Sequence, residues 1–143
     1  MSPETWFRRF LMAAAAATYP AAVAELVFVD HYEEALQIVP FVLIGLGLAA
    51  LAWAWVAPSR ASLNVLRAVA IVVALGSLVG IWLHARANWA FAAEVDAQAG
   101  TGDLLWAAMS GHDPLLAPGM IALAALLAAA ATYRHPAFGG TTA

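Results

Sequence analysis

The side chains that could carry chemistry in this sequence are three histidines and the acids near them. His31, His84 and His112 each stand at the end of a long apolar segment. Imidazole and carboxylate groups bind zinc and copper, so these histidines and Glu34 form a candidate metal site for one of those ions. No close spacing such as H-x-x-x-H supports the site, and the prediction rests on residue type. A haem needs one or two axial ligands, and His31 and His84 lie too near the segment ends to favour one.

A second candidate site centres on Glu25, which lies inside an apolar segment. Glu25 precedes Asp30 by five residues, which places it about 7 Å deeper along a helix at 1.5 Å per residue. An ionisable group within a membrane helix is costly, and a partner is expected. We expect that partner to be His84, with Asn88 one turn further along the same helix face. Glu25, His84 and Asn88 are therefore a candidate ion or proton site.

Composition indicates an integral membrane protein. The chain has 143 residues, of which 64% are hydrophobic and 10% charged, and its mean hydropathy is +0.83. Soluble domains carry about 25% charged residues. The net charge of −3 argues against nucleic-acid binding, and the absence of cysteine excludes thiolate metal ligands and disulfides. There is no glycine-rich phosphate loop and no GxSxG motif, so we do not expect an enzyme.

Four segments are apolar enough to cross a membrane, which takes about 20 residues each. We predict an all-α integral membrane protein, a single domain over residues 1–143, folded as an antiparallel bundle of four transmembrane helices. The long third connection should hold a short helix at the membrane interface. The predicted helices cover about residues 7–29, 36–57, 63–84 and 115–133, and the interfacial helix covers about 103–110.

Capping signals locate two of these helix starts. Asp30 and Glu33 have the spacing of a capping box before the second helix. Asp113 followed by Pro114 predicts an N-cap residue and a proline at the first position of the fourth helix. Acids are also favoured at a helix N-terminus by the helix dipole. The acidic group after the first helix can therefore be a solvated turn with no further role.

Charge is divided between the two ends of such a bundle. The positive-inside rule makes the arginine-rich end cytoplasmic, and both termini belong to that end. Most of the acids fall at the opposite end. Alanine-rich composition is typical of a high-GC bacterial genome, and in size and hydropathy the chain resembles small four-helix proteins of bacterial inner membranes. The arginines on the cytoplasmic side are Arg8, Arg9, Arg60, Arg67 and Arg134.

The first apolar segment has an alternative interpretation. Two arginines, an apolar run and Ala22-Val23-Ala24 resemble a signal peptide, which would remove residues 1–24. The apolar stretch resumes as Leu26 to Val29 and suits a spanning helix better. We therefore keep the segment as the first transmembrane helix.

Three functions are compatible with these features. We favour an accessory or structural subunit, because Gly76 and Gly80 form a small-xxx-small pair of the kind that packs membrane helices closely. Its partners would be the lipid bilayer, other membrane proteins or a second copy. The first alternative is a periplasmic-face protein that binds a metal ion or protons through Glu25, His84 and nearby acids. The second is a small oligomeric transporter, since one packed bundle lacks a pathway.

Overall fold

The computed structural model describes residues 1–139, and within that range the chain is helical and contains no strand. A single 3-10 turn, Ala35–Ile38, leads into the second helix, and another, Pro136–Phe138, follows the last. The five α-helices are α1 (Pro3–Phe28), α2 (Val39–Val56), α3 (Arg60–Val95), α4 (Thr101–Ser110) and α5 (Leu116–Ala131).

Three of the helices are long and apolar enough to span a membrane. They are α1, α2 together with its leading turn (Ala35–Val56), and α3. The fourth apolar helix, α5, has 16 residues. At 1.5 Å per residue that is about 24 Å, somewhat less than the roughly 30 Å of a bilayer core.

The helices pack around α5. It contacts α1 on one side and α3 on the other, and α2 packs mainly against α3. Alanines dominate the buried faces of α5, where Ala124 and Ala125 are fully buried, and of α1, where Ala15 and Ala22 are fully buried. Such small side chains let helix backbones approach closely. Because α5 lies between them, α1 and α3 make almost no direct contact with each other.

Arginine side chains join the start of α1 and the start of α3 to the end of α5. Arg8 Nη2 donates to the Arg134 carbonyl at 2.8 Å. Arg67 donates to the Thr132 hydroxyl at 2.7 Å and to its carbonyl at 3.0 Å, and its guanidinium lies 4.2 Å from the Phe138 ring centroid. These bonds satisfy carbonyls that a helix end leaves free. They also show that α5 runs antiparallel to both α1 and α3.

Two of the helices differ from the segments in the sequence. The third predicted segment ends at residue 84, whereas α3 continues to Val95 because residues 85–95 are rich in helix-forming side chains. Its start is held by a capping box between Ser59 and Ser62. The helix α1 is continuous through the Ala22-Val23-Ala24 stretch, and Ala22 packs in the core.

The predicted capping box of Asp30 and Glu33 is wrong. Asp30 adopts a left-handed conformation, with φ 51°, and ends α1 instead of starting α2. The box is made four residues later, by Glu34 and Gln37: Gln37 Oε1 accepts from the backbone N–H groups of Glu33 and Glu34, at 2.8 and 3.0 Å. The spacing rule finds the motif type but not its register, because three acids within five residues all have cap-forming side chains.

Candidate functional site

Two histidines and an aspartate come together at the end of the molecule opposite the arginine contacts. The ring centroids of His31 and His84 are 5.7 Å apart, with the planes inclined by 38°. His84 Nδ1 lies 3.9 Å from Asp113 Oδ2. Both histidines belong to the predicted site residues, but Asp113 was expected only as a helix cap. We refer to His31, His84 and Asp113 as the imidazole cluster.

The end of α1 positions His31. The N–H of Asp30 donates to the Val27 carbonyl at 3.2 Å, and the N–H of His31 donates to the Leu26 carbonyl at 2.9 Å. This pair of bonds around a left-handed residue is a Schellman motif, in which Asp is one of the few non-glycine residues tolerated. The turn brings His31 back over the end of the bundle, where it meets His84 although α1 and α3 are not neighbours.

Asn88 positions Asp113. The Asn88 side chain is 4% exposed. It donates to the Asp113 carbonyl at 2.9 Å and to the Ala108 carbonyl at 3.3 Å, and it accepts from the Asp113 N–H at 2.9 Å. Gly111 is required beside it, since a Cβ there would lie 2.5 Å from Asn88 Cγ. Asn88 was predicted to belong to an ion or proton site, and in the structure its polar atoms bond the backbone that presents Asp113. The predicted N-cap role of Asp113 is wrong, because α5 begins at Leu116 without a side-chain cap.

The expected pair of Glu25 with His84 is not formed. The carboxylate beside His84 is that of Asp113, and no ion pair within 4.0 Å joins Glu25 to a basic group among residues 1–139. The reason is the order of packing, since α5 separates the two helices that carry Glu25 and His84. Glu25 is only partly buried by the rest of the chain.

The predicted metal site is not supported. His112 is exposed and lines a groove beside Asn88 and α4, not the cleft that His31, His84 and Glu34 line. In the described part of the chain, no group of three or more histidine, aspartate and glutamate side chains could hold a metal ion. Histidines at three neighbouring helix ends need not converge, because the rotation of each helix about its own axis sets the direction of its side chain.

A cleft of about 420 Å³ extends from the imidazole cluster into the bundle. Glu34 and Gln37 line its outer end with the cluster, and its walls are otherwise mostly apolar residues of α2, α3 and α5. Ser77 lines the cleft at greater depth. Its side chain is 3% exposed, and its hydroxyl has no hydrogen-bond partner among residues 1–139. A volume of this size matches pockets that bind small organic ligands.

Gly76 and Gly80, the predicted packing pair, also line this cleft. A Cβ on Gly76 would lie 2.6 Å from Leu43 Cδ1, and a Cβ on Gly80 would lie 3.3 Å from Pro118 Cβ. Both glycines thus admit side chains of α2 and α5 from the same chain. They do not form a free surface for another protein.

Burial and two neighbouring groups set the pKa of His31. Desolvation lowers its pKa, the neighbouring His84 lowers it further, and the Asp113 carboxylate partly opposes both effects. The imidazole is therefore neutral near pH 7 and gains a proton only at lower pH. As a neutral group it can donate one hydrogen bond and accept one. The arrangement can exchange protons and hydrogen-bond a polar ligand.

Sequence reasoning missed Ser77 as a possible ligand group and Asp113 as the carboxylate of the cluster. Both residues stand in patterns that are typical of another role. Ser77 lies beside Gly76 in a helix-packing pattern, and Asp113 precedes a proline as a helix cap does. Comparison with known protein families, with curated proteins and with solved structures finds no match to this chain.

Proposed function

We propose that the chain is a four-span protein of a bacterial inner membrane, in which α1, α2, α3 and α5 are the spans and both termini face the cytoplasm. Three long apolar helices and the enclosure of α5 between two of them support this arrangement. So does the arginine-rich end, which the positive-inside rule assigns to the cytoplasm. On α4, Trp106 is 72% exposed and Leu105 is 55% exposed, as expected for a helix at the outer interface.

The orientation can be tested because the natural chain has no cysteine. Ala61 and Ala97 are both exposed; Ala61 lies at the start of α3, and Ala97 lies two residues after its end. We expect Ala97→Cys to react with a membrane-impermeant maleimide in spheroplasts, and Ala61→Cys to react only after lysis. The reverse pattern would contradict the proposed orientation, and labelling of both in intact spheroplasts would contradict the four spans.

We further propose that this is a pH-responsive membrane protein whose outer end takes up a proton on the imidazole cluster. The single observation that carries the proposal is the meeting of His31, His84 and Asp113 at the head of the cleft. The residues that face His31 are His84 on α3 and Asp113 before α5, and Glu34 lines the same end of the cleft. Two imidazoles at this distance resist double protonation, since like charges in a partly buried site repel.

The direction of the pH effect follows from the lowered pKa of His31. The unfolded chain binds this proton with the ordinary pKa of about 6.5, and the folded chain binds it less readily. Stability from neutral His31 is therefore present above about pH 6.5 and is lost as pH falls from there through the folded-state pKa. Acidification is expected to loosen the turn between α1 and α2 at the mouth of the cleft.

Histidine NMR on the purified chain in lipid nanodiscs tests the cluster. Asp113→Asn removes the charge that raises the pKa of His31, so that pKa should fall. His84→Gln removes a charge that lowers it, so that pKa should rise. His112→Ala is the matched control, and it should leave the His31 titration unchanged because His112 lies outside the cleft. A His31 titration that ignores both cluster variants would refute the proposal.

An accessory subunit is the second candidate, and the outer surface of α3 is the surface that it would offer to a partner. Ile71, Leu75 and Leu78 are each more than half exposed and lie on consecutive turns. A partner would dock there, because Gly76 and Gly80 are occupied by the chain's own side chains. The test is co-purification in mild detergent: Leu75→Trp should release a bound membrane protein while the His31 titration stays as in the wild type. Equal recovery of all proteins with both chains would exclude docking on this surface.

A small transporter is the third possibility, and it makes a separate prediction. The cleft reaches from the imidazole cluster to Ser77 and Ile121, which leaves the arginine-rich half of the bundle outside it. Transport would therefore need a second conformation. Proton flux into proteoliposomes should then depend on Asp113, and a folded preparation with no such flux would rule this function out.

A further inference from the structure

The cleft opens sideways between α2 and α3. Its lining includes Leu36 and Val39 on one side and Val79 on the other, and these side chains are 65%, 45% and 55% exposed. In a four-span arrangement those exposed apolar residues face lipid. A molecule dissolved in the bilayer can therefore reach the cleft without crossing water, whereas a hydrophilic solute would meet apolar walls.

The inner end of the cleft contains a hydroxyl that lacks a partner. Other helix hydroxyls in this chain bond back to the preceding turn: Thr18 donates to the Ala14 carbonyl and Ser110 to the Trp106 carbonyl, each at 2.8 Å. Ser77 makes no such bond. A buried polar group left unpaired costs about 1–3 kcal/mol. An occupant of the cleft that offers an oxygen at this depth would recover that cost.

The spacing between the two polar levels limits the ligand. Ser77 and His84 are both on α3 and seven residues apart, which is about 10 Å along the helix axis at 1.5 Å per residue. When both bonds run along the helix axis, two hydrogen bonds of about 2.8 Å leave roughly 5 Å between the two ligand oxygens. That gap is the separation of oxygens at opposite positions of a six-membered ring.

The charges at the mouth disfavour anionic ligands. Glu34 and Asp113 are carboxylates, and His31 is neutral near pH 7 because its pKa is lowered. A phosphate or a fatty-acid carboxylate would meet like charge there. A metal ion lacks a ligand group in the described residues. An uncharged ring with oxygens at both ends fits the two polar levels, and an apolar tail can leave between α2 and α3.

We infer that the cleft between α2 and α3 binds a lipid-soluble quinol or quinone, with one ring oxygen at Ser77 and the opposite oxygen at His84. The inference concerns reversible binding only. It uses His84 of the imidazole cluster but does not depend on protonation of that cluster, so it stands or falls separately from the pH response.

Calorimetric titration of the full chain in nanodiscs of zwitterionic lipid tests this, with decylhydroquinone as the probe and empty nanodiscs as the blank. The measurement is made under anaerobic conditions at pH 8, where His31 is neutral because its pKa is lowered. We expect saturable binding. Ser77→Ala and His84→Phe should each weaken it about tenfold, the cost of one hydrogen bond. Thr18→Ala, a matched hydroxyl deletion on α1, should leave it unchanged.

A second probe and a fourth variant make the test decisive. Decylphenol lacks one hydroxyl, so it should bind about tenfold more weakly and lose affinity in only one of the two cleft variants. Val79→Trp narrows the lateral opening from an exposed position and should reduce binding of both probes. Equal affinity for the two probes would mean a ligand with a single hydroxyl and would overturn the inference. Binding that is insensitive to Ser77→Ala, or no saturable binding by the folded chain, would overturn it as well.

Discussion

Replacing Asn88 by alanine should release the connection between α4 and α5. The side chain makes two bonds of 2.9 Å to the backbone of Asp113 and a longer one of 3.3 Å to Ala108. Each net hydrogen bond is worth about 0.5–1.5 kcal/mol, and more when a buried partner is left unpaired. Counting the two short bonds fully and the long one weakly, the local loss should be about 2 to 3 kcal/mol.

Hydrogen–deuterium exchange followed by mass spectrometry measures that loss directly. A peptide covering residues 108–113 contains the Asp113 amide that donates to Asn88. Its exchange in nanodiscs should become roughly 30- to 150-fold faster in Asn88→Ala, since 1.4 kcal/mol corresponds to a factor of ten. Peptides from α1 and α2 should exchange at their wild-type rates, because the released bonds are confined to the other end of α3.

The matched control is Asn64→Ala, which removes the same side chain from an exposed position on the same helix. It should leave exchange in residues 108–113 unchanged. Asn88→Ala should also lower the pKa of His31, because Asp113 is the neighbour that raises it. Wild-type exchange at Asp113 in the Asn88 variant would refute the idea that this side chain positions the cluster.

Two further substitutions test the packing by thermal denaturation in one detergent. Gly47→Ala should destabilise by about 1–3 kcal/mol through overpacking, because its Cβ would lie 2.6 Å from the hydroxyl of Tyr19, itself 1% exposed. Gly45→Ala, two residues earlier with open space around it, should instead stabilise by up to about 1 kcal/mol; equal effects of the two would contradict the contact. Arg67→Lys should lose paired bonds of 2.7 and 3.0 Å to the last turn of α5, at a cost of about 1–2 kcal/mol. The exposed Arg9→Lys should cost almost nothing. If Arg67→Lys cost equally little, the retained charge alone would account for the contact and the paired bonds would not.

Features that depend on local composition could be predicted from the sequence. Apolar segments, the arginine-rich end and a short helix near residues 103–110 follow from hydropathy, charge and capping signals. The extension of α3 to Val95 likewise follows local composition, since residues 85–95 are rich in helix-forming side chains. These properties are carried by neighbouring positions along the chain.

Features that depend on which helices touch could not be predicted. Glu25 and His84 were expected to pair because both stand near the same end of their segments, but α5 lies between the helices that carry them. Hydropathy does not indicate which helices pack against each other. The link between Asn88 and Asp113 spans 25 residues and uses backbone atoms, which every residue has. His31 and His84 were identified by residue type, but the turn at Asp30 that brings them together was taken for a helix start.

The central place of α5 has a consequence for biosynthesis. A ribosome completes α1, α2 and α3 before α5 exists, and α1 and α3 have almost no contact of their own. During that interval the groove that α5 will fill must hold lipid or an insertion factor, and Arg8 and Arg67 must find other partners than the carbonyls they bind in the finished protein. Assembly thus concludes with the arrival of the shortest apolar helix. A nascent chain stalled before Leu116 should present α1 to the quality-control proteases of the membrane.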